Sequence, residues 1–245
     1  SEYNGETRLF EYQANYAAND NNLLTAGVTY QDEEASSDLQ ALVNQTSTGV
    51  FLEDRITLQE NWHATAGVRW DEFSRAGDAN TYRLSTIYHL QDKPAHIHAA
   101  LGTGFRAPAL AENLFAFGNP DLAPETSKGW ELGYTTQLHD GQILFDATYF
   151  RNDFENLIVW NPSLFVLDNV GLAQSSGVEL TLDWQLNDRT TVNANYTLTN
   201  TVNRETGSEL LRRPKHRSMI NLEHMLEDER TLLGLTLAYT GSRLD

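Results

Sequence analysis

The chain has 245 residues, 40% of them hydrophobic, with a net charge of -17 and no cysteine. That charge excludes a nucleic-acid binder, which needs clustered Lys and Arg to displace counterions, and the lack of cysteine excludes a disulfide-stapled scaffold. No stretch approaches the ~18 consecutive apolar residues of a membrane helix, yet a β-barrel passes that test unseen because only alternate residues face lipid.

Period-2 alternation runs through the chain, and helical periodicity is scarce. The pattern predicts roughly twelve strands, at about 7–18, 23–34, 46–58, 62–73, 81–90, 95–104, 127–138, 142–160, 169–186, 190–203, 212–225 and 231–241. In the fourth, Trp62, Ala64, Ala66, Val68 and Trp70 share one face, and His63, Thr65, Gly67, Arg69 and Asp71 share the other. In the ninth, Leu182 falls on the apolar face and Asp183 on the polar one.

The expected connections alternate in length. Short ones fall at 19–22, 59–61, 91–94, 139–141, 187–189 and 226–230, and long ones near 35–45, 74–80, 105–126, 161–168 and 204–211. Short turns on one side and long loops on the other are the pattern of an outer-membrane barrel. The eight residues from Trp62 to Trp70 span roughly 26 Å at ~3.3 Å per residue. A tilt of about 40° reduces this to roughly 20 Å of height, near the apolar band between aromatic girdles. The fold class expected is therefore all-β: an antiparallel up-and-down transmembrane β-barrel, here a partial barrel. A self-contained smaller barrel and a soluble all-β binding domain are the competing readings.

Motifs for chemistry are few. The run from Gly102 to Ala107 fits the glycine spacing of a dinucleotide loop, but Pro108 follows and no βαβ unit surrounds it. His96 and His98 point to one face of a strand, yet no third metal ligand lies within reach by sequence. Glu53, Asp71, Glu131, Asp146, Glu179 and Asp183 recur at the inward parity, which a wet lumen explains without catalysis. No nucleophile motif appears. The sequence therefore points to no enzyme, no cofactor and no metal site. Arg212-Arg213-Pro214-Lys215-His216-Arg217 is the one dense basic cluster. It suits either a barrel rim meeting lipopolysaccharide phosphates or lumen carboxylates, or contact with a ligand at the external mouth.

Several motifs occur in an order that resembles the barrel of TonB-dependent outer-membrane receptors. They are Phe105-Arg106-Ala107-Pro108, Gly118-Asn119-Pro120-Asp121-Leu122 with Pro124-Glu125, and Phe150-Arg151-Asn152-Asp153 with Leu157-Ile158. Asn169-Val170-Gly171, Ser176-Gly177-Val178-Glu179-Leu180, Leu210-Leu211-Arg212-Arg213-Pro214 and Tyr239-Thr240-Gly241-Ser242-Arg243 continue the series. The resemblance covers about residues 45–245 and is nearest to the cobalamin transporters, while 1–44 match in pattern only. It implies a location in the bacterial outer membrane and a barrel of about 22 strands filled by an N-terminal plug. The cargo it implies is cobalamin or, alternatively, a ferric siderophore, with TonB acting through the plug. Residues 1–245 are then one fragment of such a barrel, without the plug, the early strands or the last strands. Both ends would fall on the external side, and the fragment alone would transport nothing. The same resemblance makes Arg212 the candidate ligand-binding residue, placed where a strand begins its descent from an external loop.

Overall fold

The structure is a computed structural model that describes residues 3–38, 40–115 and 117–244, with the side chains of Tyr3, Gln40 and Val170 left aside. The expected external placement of Ser1 and Asp245 lies outside the described residues. Twelve strands follow one another: β1 (Tyr3–Asn19), β2 (Asn22–Ser37), β3 (Gln40–Gln59), β4 (Trp62–Phe73), β5 (Gly77–His89) and β6 (Ala95–Arg106). After a short helix α1 (Leu110–Leu114) come β7 (Glu125–Leu138), β8 (Ile143–Asn161), β9 (Val166–Asn187), β10 (Thr190–Asn203), β11 (His216–Met225) and β12 (Leu232–Thr240). They form one sheet in strict sequence order, and every pairing is antiparallel. β1 and β12 do not pair, so the sheet is not a closed twelve-strand barrel.

The register preserves the predicted faces. Trp62 sits opposite Tyr88, and Tyr88 opposite Ile97, so one row of large apolar side chains runs across neighbouring strands. Val68 is 60% exposed and Leu132 52% exposed, which in water would be costly. Such a surface is stable only against lipid, where an outward apolar band flanked by aromatic side chains is what the solvent requires. Trp62 and Tyr88 pack edge to face at 6.3 Å, and Trp130 lies over Tyr149 at 5.3 Å, marking two aromatic levels.

The opposite face is polar, and many of its side chains bond to one another. Arg69 grips Asp71 through Nε and Nη2, at 2.6–2.9 Å, and donates a further bond of 2.7 Å to Thr29. Gly49 makes this possible, because a Cβ there would collide with the Arg69 guanidinium. Asp146 accepts from Thr135 at 2.7 Å and Thr148 at 2.9 Å, and Asp183 accepts from Asn193 at 2.6 Å.

The loop expectations need correction. Residues expected in long connections near 35–45, 74–80 and 161–168 instead extend the strands. β2 and β3 pair out to Ser37 and Gln40, and β4 and β5 pair out to Phe73 and Gly77. β8 and β9 pair out to Asn161 and Val166. Polar sequence above the lipid still needs its backbone groups paired, and a continued ladder does that as well as water. Gly77, at φ 78°, and the side chain of Asn161, which accepts the N–H groups of Ser163 and Leu164, close two of these hairpins tightly. The asymmetry between the two ends is therefore carried by two segments, 107–124 and 204–215. The strand expected from 212 starts at His216. Pro214 has no N–H to give a ladder, and Arg212 turns at φ 58°.

Two outcomes follow. Leu182 lies opposite Phe145 and Ala194 on the apolar face, so Leu182→Arg puts a charge into lipid at up to roughly 2–4 kcal/mol. Barrel assembly, read by heat-modifiable gel mobility, falls for Leu182→Arg and stays near normal for Asp183→Arg; equal assembly of the two reverses the face assignment. In the 226–231 turn, the backbone N–H of Arg230, then the hydroxyl and N–H of Thr231, hold the Asp228 carboxyl below its usual pKa. The carboxyl's contribution to the turn is full above the ordinary pKa of about 3.9 and disappears as pH falls through the lowered folded value. Amide protection of Arg230 and Thr231, corrected for intrinsic exchange, should weaken in that acid range, and Asp228→Asn should remove the dependence.

Candidate functional site at the external mouth

The short turns mark one end of the sheet and the 107–124 and 204–215 segments the other, which places the external mouth at the latter end. There β6 leaves β5. Their pairing stops at Arg83 and Gly102, whereas β6 and β7 stay paired up to Arg106 and Glu125. Phe105 then stacks at 5.3 Å on Phe73 of β4, one strand beyond β5. The segment after β6 continues across, and α1 touches β2 and β3, four and three strands away in the sheet. Such contact requires a curled sheet with this segment folded over its concave side. Pro108, Leu110 and Leu122 are buried there, together with Ala35 of β2 and Ala79 of β5. What apolar core the chain has lies largely at this mouth.

Arg106 organises the segment. Its guanidinium forks onto Glu125 at 2.6 and 2.8 Å and onto Glu112 of α1 at 2.8 and 3.3 Å. Glu112 also accepts the N–H of Ala109 at 2.8 Å, which caps the helix, and Glu125 accepts the N–H of Ile158 on β8 at 2.7 Å. One planar fork thus ties helix, strand and neighbouring strand together, as only a bidentate cation can. At the other end of the segment Asn169 of β9 exchanges two bonds with Ala123, at 2.9 and 3.0 Å, and donates to the Asn156 carbonyl at 2.6 Å. The motifs from Phe105 to Pro108, Gly118 to Glu125 and around Asn169 are therefore parts of one clamp.

A cluster of exposed aromatics rises beside it. Phe117 meets Trp160 edge to face at 5.9 Å, and Trp160 meets Phe165 at 6.3 Å. Phe117 and Phe165 both sit at positive φ, 69° and 54°, a conformation that large side chains rarely take and that recurs at ligand clamps. The Leu167 N–H donates to the Phe117 carbonyl at 3.0 Å and fixes the arrangement. Sequence reading missed this group because its members lie 5 to 48 positions apart; Trp160 alone, beyond the girdle on β8, was a signal.

Arg212 lies in the 204–215 segment rather than on a strand. Its backbone N–H donates to the Leu244 carbonyl at 2.7 Å, and its side chain is exposed. The basic cluster divides at this point: Arg212 and Arg213 stay in the loop, while Arg217 joins β11 beside His216, whose Nδ1 meets the Tyr196 hydroxyl at 2.8 Å. Of the inward carboxylates, Glu53 pairs with Arg55 at 3.2 Å, Asp71 with Arg69, and Asp146 and Asp183 with the hydrogen-bonding side chains given above. The run from Gly102 to Ala107 ends β6 and enters the loop, with α1, five residues long, starting only at Leu110.

Residues 1–245 match the TonB dependent receptor-like β-barrel family along their whole length. The chain belongs to that family. It is thus part of an outer-membrane receptor barrel and not of an enzyme. It is 27% identical over 252 residues to the vitamin B12 transporter BtuB of Photobacterium profundum, an alignment covering 98% of this chain and 40% of that protein. It is 32% identical over 169 residues to the BtuB of Vibrio vulnificus, covering 64% of this chain and 27% of that protein. The chain thus spans well under half the length of these relatives. Its fold superposes with a TM-score of 0.82 on a variant of the ferric enterobactin receptor PfeA of Pseudomonas aeruginosa, at 21% identity, covering 98% of this chain and 41% of that one. The siderophore receptor PirA of the same organism gives 0.82 at 23% identity, with 98% and 46% covered.

The clamp makes a prediction. In the intact barrel, Arg106→Ala should speed amide exchange across 109–114 on the order of tenfold or more, since charge-assisted bonds to two carboxylates go together. Arg106→Lys, with no fork, should recover only part of the protection. Unchanged exchange in both variants would show that apolar burial alone holds the segment.

Proposed function

We propose that this segment forms wall and external vestibule of a TonB-dependent transporter whose cargo is cobalamin. The carrying observation is the 27–32% identity to two vitamin B12 transporters. The likeness to siderophore receptors lies below 25% identity and speaks for the fold alone. On this reading residues 1–245 are one stretch of a larger barrel, the missing strands and a lumen plug are supplied by the rest of the protein, and TonB acts on that plug. The external rim meets lipopolysaccharide.

Within that frame Arg212 is a ligand-holding residue. Cobalamin presents amide oxygens and a phosphate, and a guanidinium offers five donors without needing to titrate. An exposed side chain on a turn pinned by its own N–H suits that role. The aromatic group of Phe117, Trp160 and Phe165 supplies the complementary apolar surface, large and already ordered. Loss of one charge-assisted bond costs on the order of 1.5–3 kcal/mol, or about tenfold or more in affinity. The experiment is cobalamin binding by the intact protein in detergent, wild type against Arg212→Ala, with folding confirmed. A loss of tenfold or more is expected. Wild-type protein that binds a ferric siderophore and not cobalamin overturns the cargo, and unchanged cobalamin affinity in Arg212→Ala overturns the residue.

A further inference from the structure

Four of the chain's seven histidines lie in one row on the polar face, near the end with the short turns. His63 is on β4, His89 on β5, and His96 and His98 on β6. The sheet register brings them together. His89 and His96 are direct cross-strand partners, and His63 and His98 both sit opposite Ile87. The ring centres are 6.3 Å apart from His63 to His89, 5.3 Å from His89 to His96, and 5.9 Å from His96 to His98. Sequence offered only His96 and His98; the two missing neighbours come from strands β4 and β5.

Two histidines outside the row have partnered ring nitrogens. His216 is claimed by Tyr196, and His224 Nδ1 lies 2.9 Å from the Thr190 hydroxyl. Within the row, His98 is held. Its Nε2 is 3.2 Å from the Thr148 hydroxyl, its Nδ1 4.0 Å from Asp146, and its ring lies where a Cβ on Gly133 would be. The ring nitrogens of His63, His89 and His96 form no hydrogen bond to any other described residue. Three neighbouring imidazoles thus keep lone pairs available in a strongly acidic protein.

We propose that His63, His89 and His96 bind a borderline divalent transition-metal ion, of the copper, nickel or zinc class, on the lumen wall. Imidazole nitrogen suits these ions. Two imidazoles sharing an ion at about 2.0–2.1 Å place their ring centres roughly 5–6 Å apart; His89 and His96 stand at that spacing already, at 5.3 Å, and His63 lies slightly farther from His89, at 6.3 Å. As the rings stand, no three ligand atoms among the described residues converge on one point. Binding therefore turns His89, the exposed member, towards its neighbours. The ligands must be neutral, so binding competes with protons and weakens in acid. The site is separate from the external mouth and does not depend on which cargo the transporter carries.

Copper(II) is the probe, because it binds nitrogen ligands most strongly in this series and reports them by electron paramagnetic resonance. The intact protein, stripped with a chelator, should take up one copper ion with hyperfine splitting from two or three nitrogens. His89→Asn and His96→Asn should each weaken uptake tenfold or more, with folding shown by heat-modifiable mobility. His139→Asn, in the 139–142 turn away from the row, should leave uptake unchanged. A wild-type spectrum without nitrogen coordination overturns the proposal whatever the variants do. So does copper binding that survives both row substitutions or disappears with His139→Asn.

Discussion

Everything in this chain follows from the pairing of backbone groups where no water can replace a lost partner. An N–H or C=O left open in hydrocarbon costs several kcal/mol, so a strand that crosses lipid must be paired on both sides along its length. Neighbouring strands meet this with antiparallel ladders in sequence order, and β1 and β12 each keep one side unpaired among the described residues. A ladder of that kind forces side chains to alternate between two solvents, and the two faces diverge accordingly: Val68 and Leu132 towards lipid, Arg69 with Asp71 and Asp183 with Asn193 towards the lumen. The low mean hydropathy of -0.47 is the arithmetic result of that alternation, not a sign of a water-soluble surface.

The same constraint explains why structure concentrates at the external mouth. Inside the membrane, regular pairing fixes the backbone and leaves only side chains to vary. Beyond it, water satisfies the backbone and the chain can depart from the ladder. β6 does so above Gly102, and the departure needs its own support: an apolar anchor of Pro108, Leu110 and Leu122, and the Arg106 fork onto two carboxylates. The fork is about half exposed, so its strength rests on planar geometry and on four bonds made at once rather than on a dry surrounding. The strained backbone at Phe117 and Phe165 persists beside this clamp because the neighbouring chain over-determines it.

On the lumen wall, side chains must be reconciled with one another instead of with lipid. Most are, by pairs two residues apart on one strand, such as Arg69 with Asp71 and Arg55 with Glu53. The histidine row is the departure, a group of like side chains gathered by register from three strands with few partners of their own. A cross-strand neighbourhood of this sort has no trace in spacing along the chain, which is why His96 and His98 alone gave no metal reading.

Twelve strands, their faces and their turns at one end were legible in the sequence, since period-2 alternation and Asn-Asp-Gly turns are local. The bounds of 62–73 and 190–203 agree with β4 and β10 to the residue. Local signals failed where a ladder runs on through polar sequence, as at 35–45 and 161–168, because pairing depends on the partner strand and not on hydropathy. They failed again at Arg212, where Pro214 and a left-handed turn delay the strand to His216. The motifs around Arg106, Glu125 and Asn169 were visible as words, but their meaning as one clamp was not, since it joins residues up to 63 positions apart. The sequence by itself thus determined which residues face lipid, because alternation is a property of each strand alone. Only the tertiary structure decided which residues meet, at the mouth and along the histidine row, because register and curl are properties of strands together.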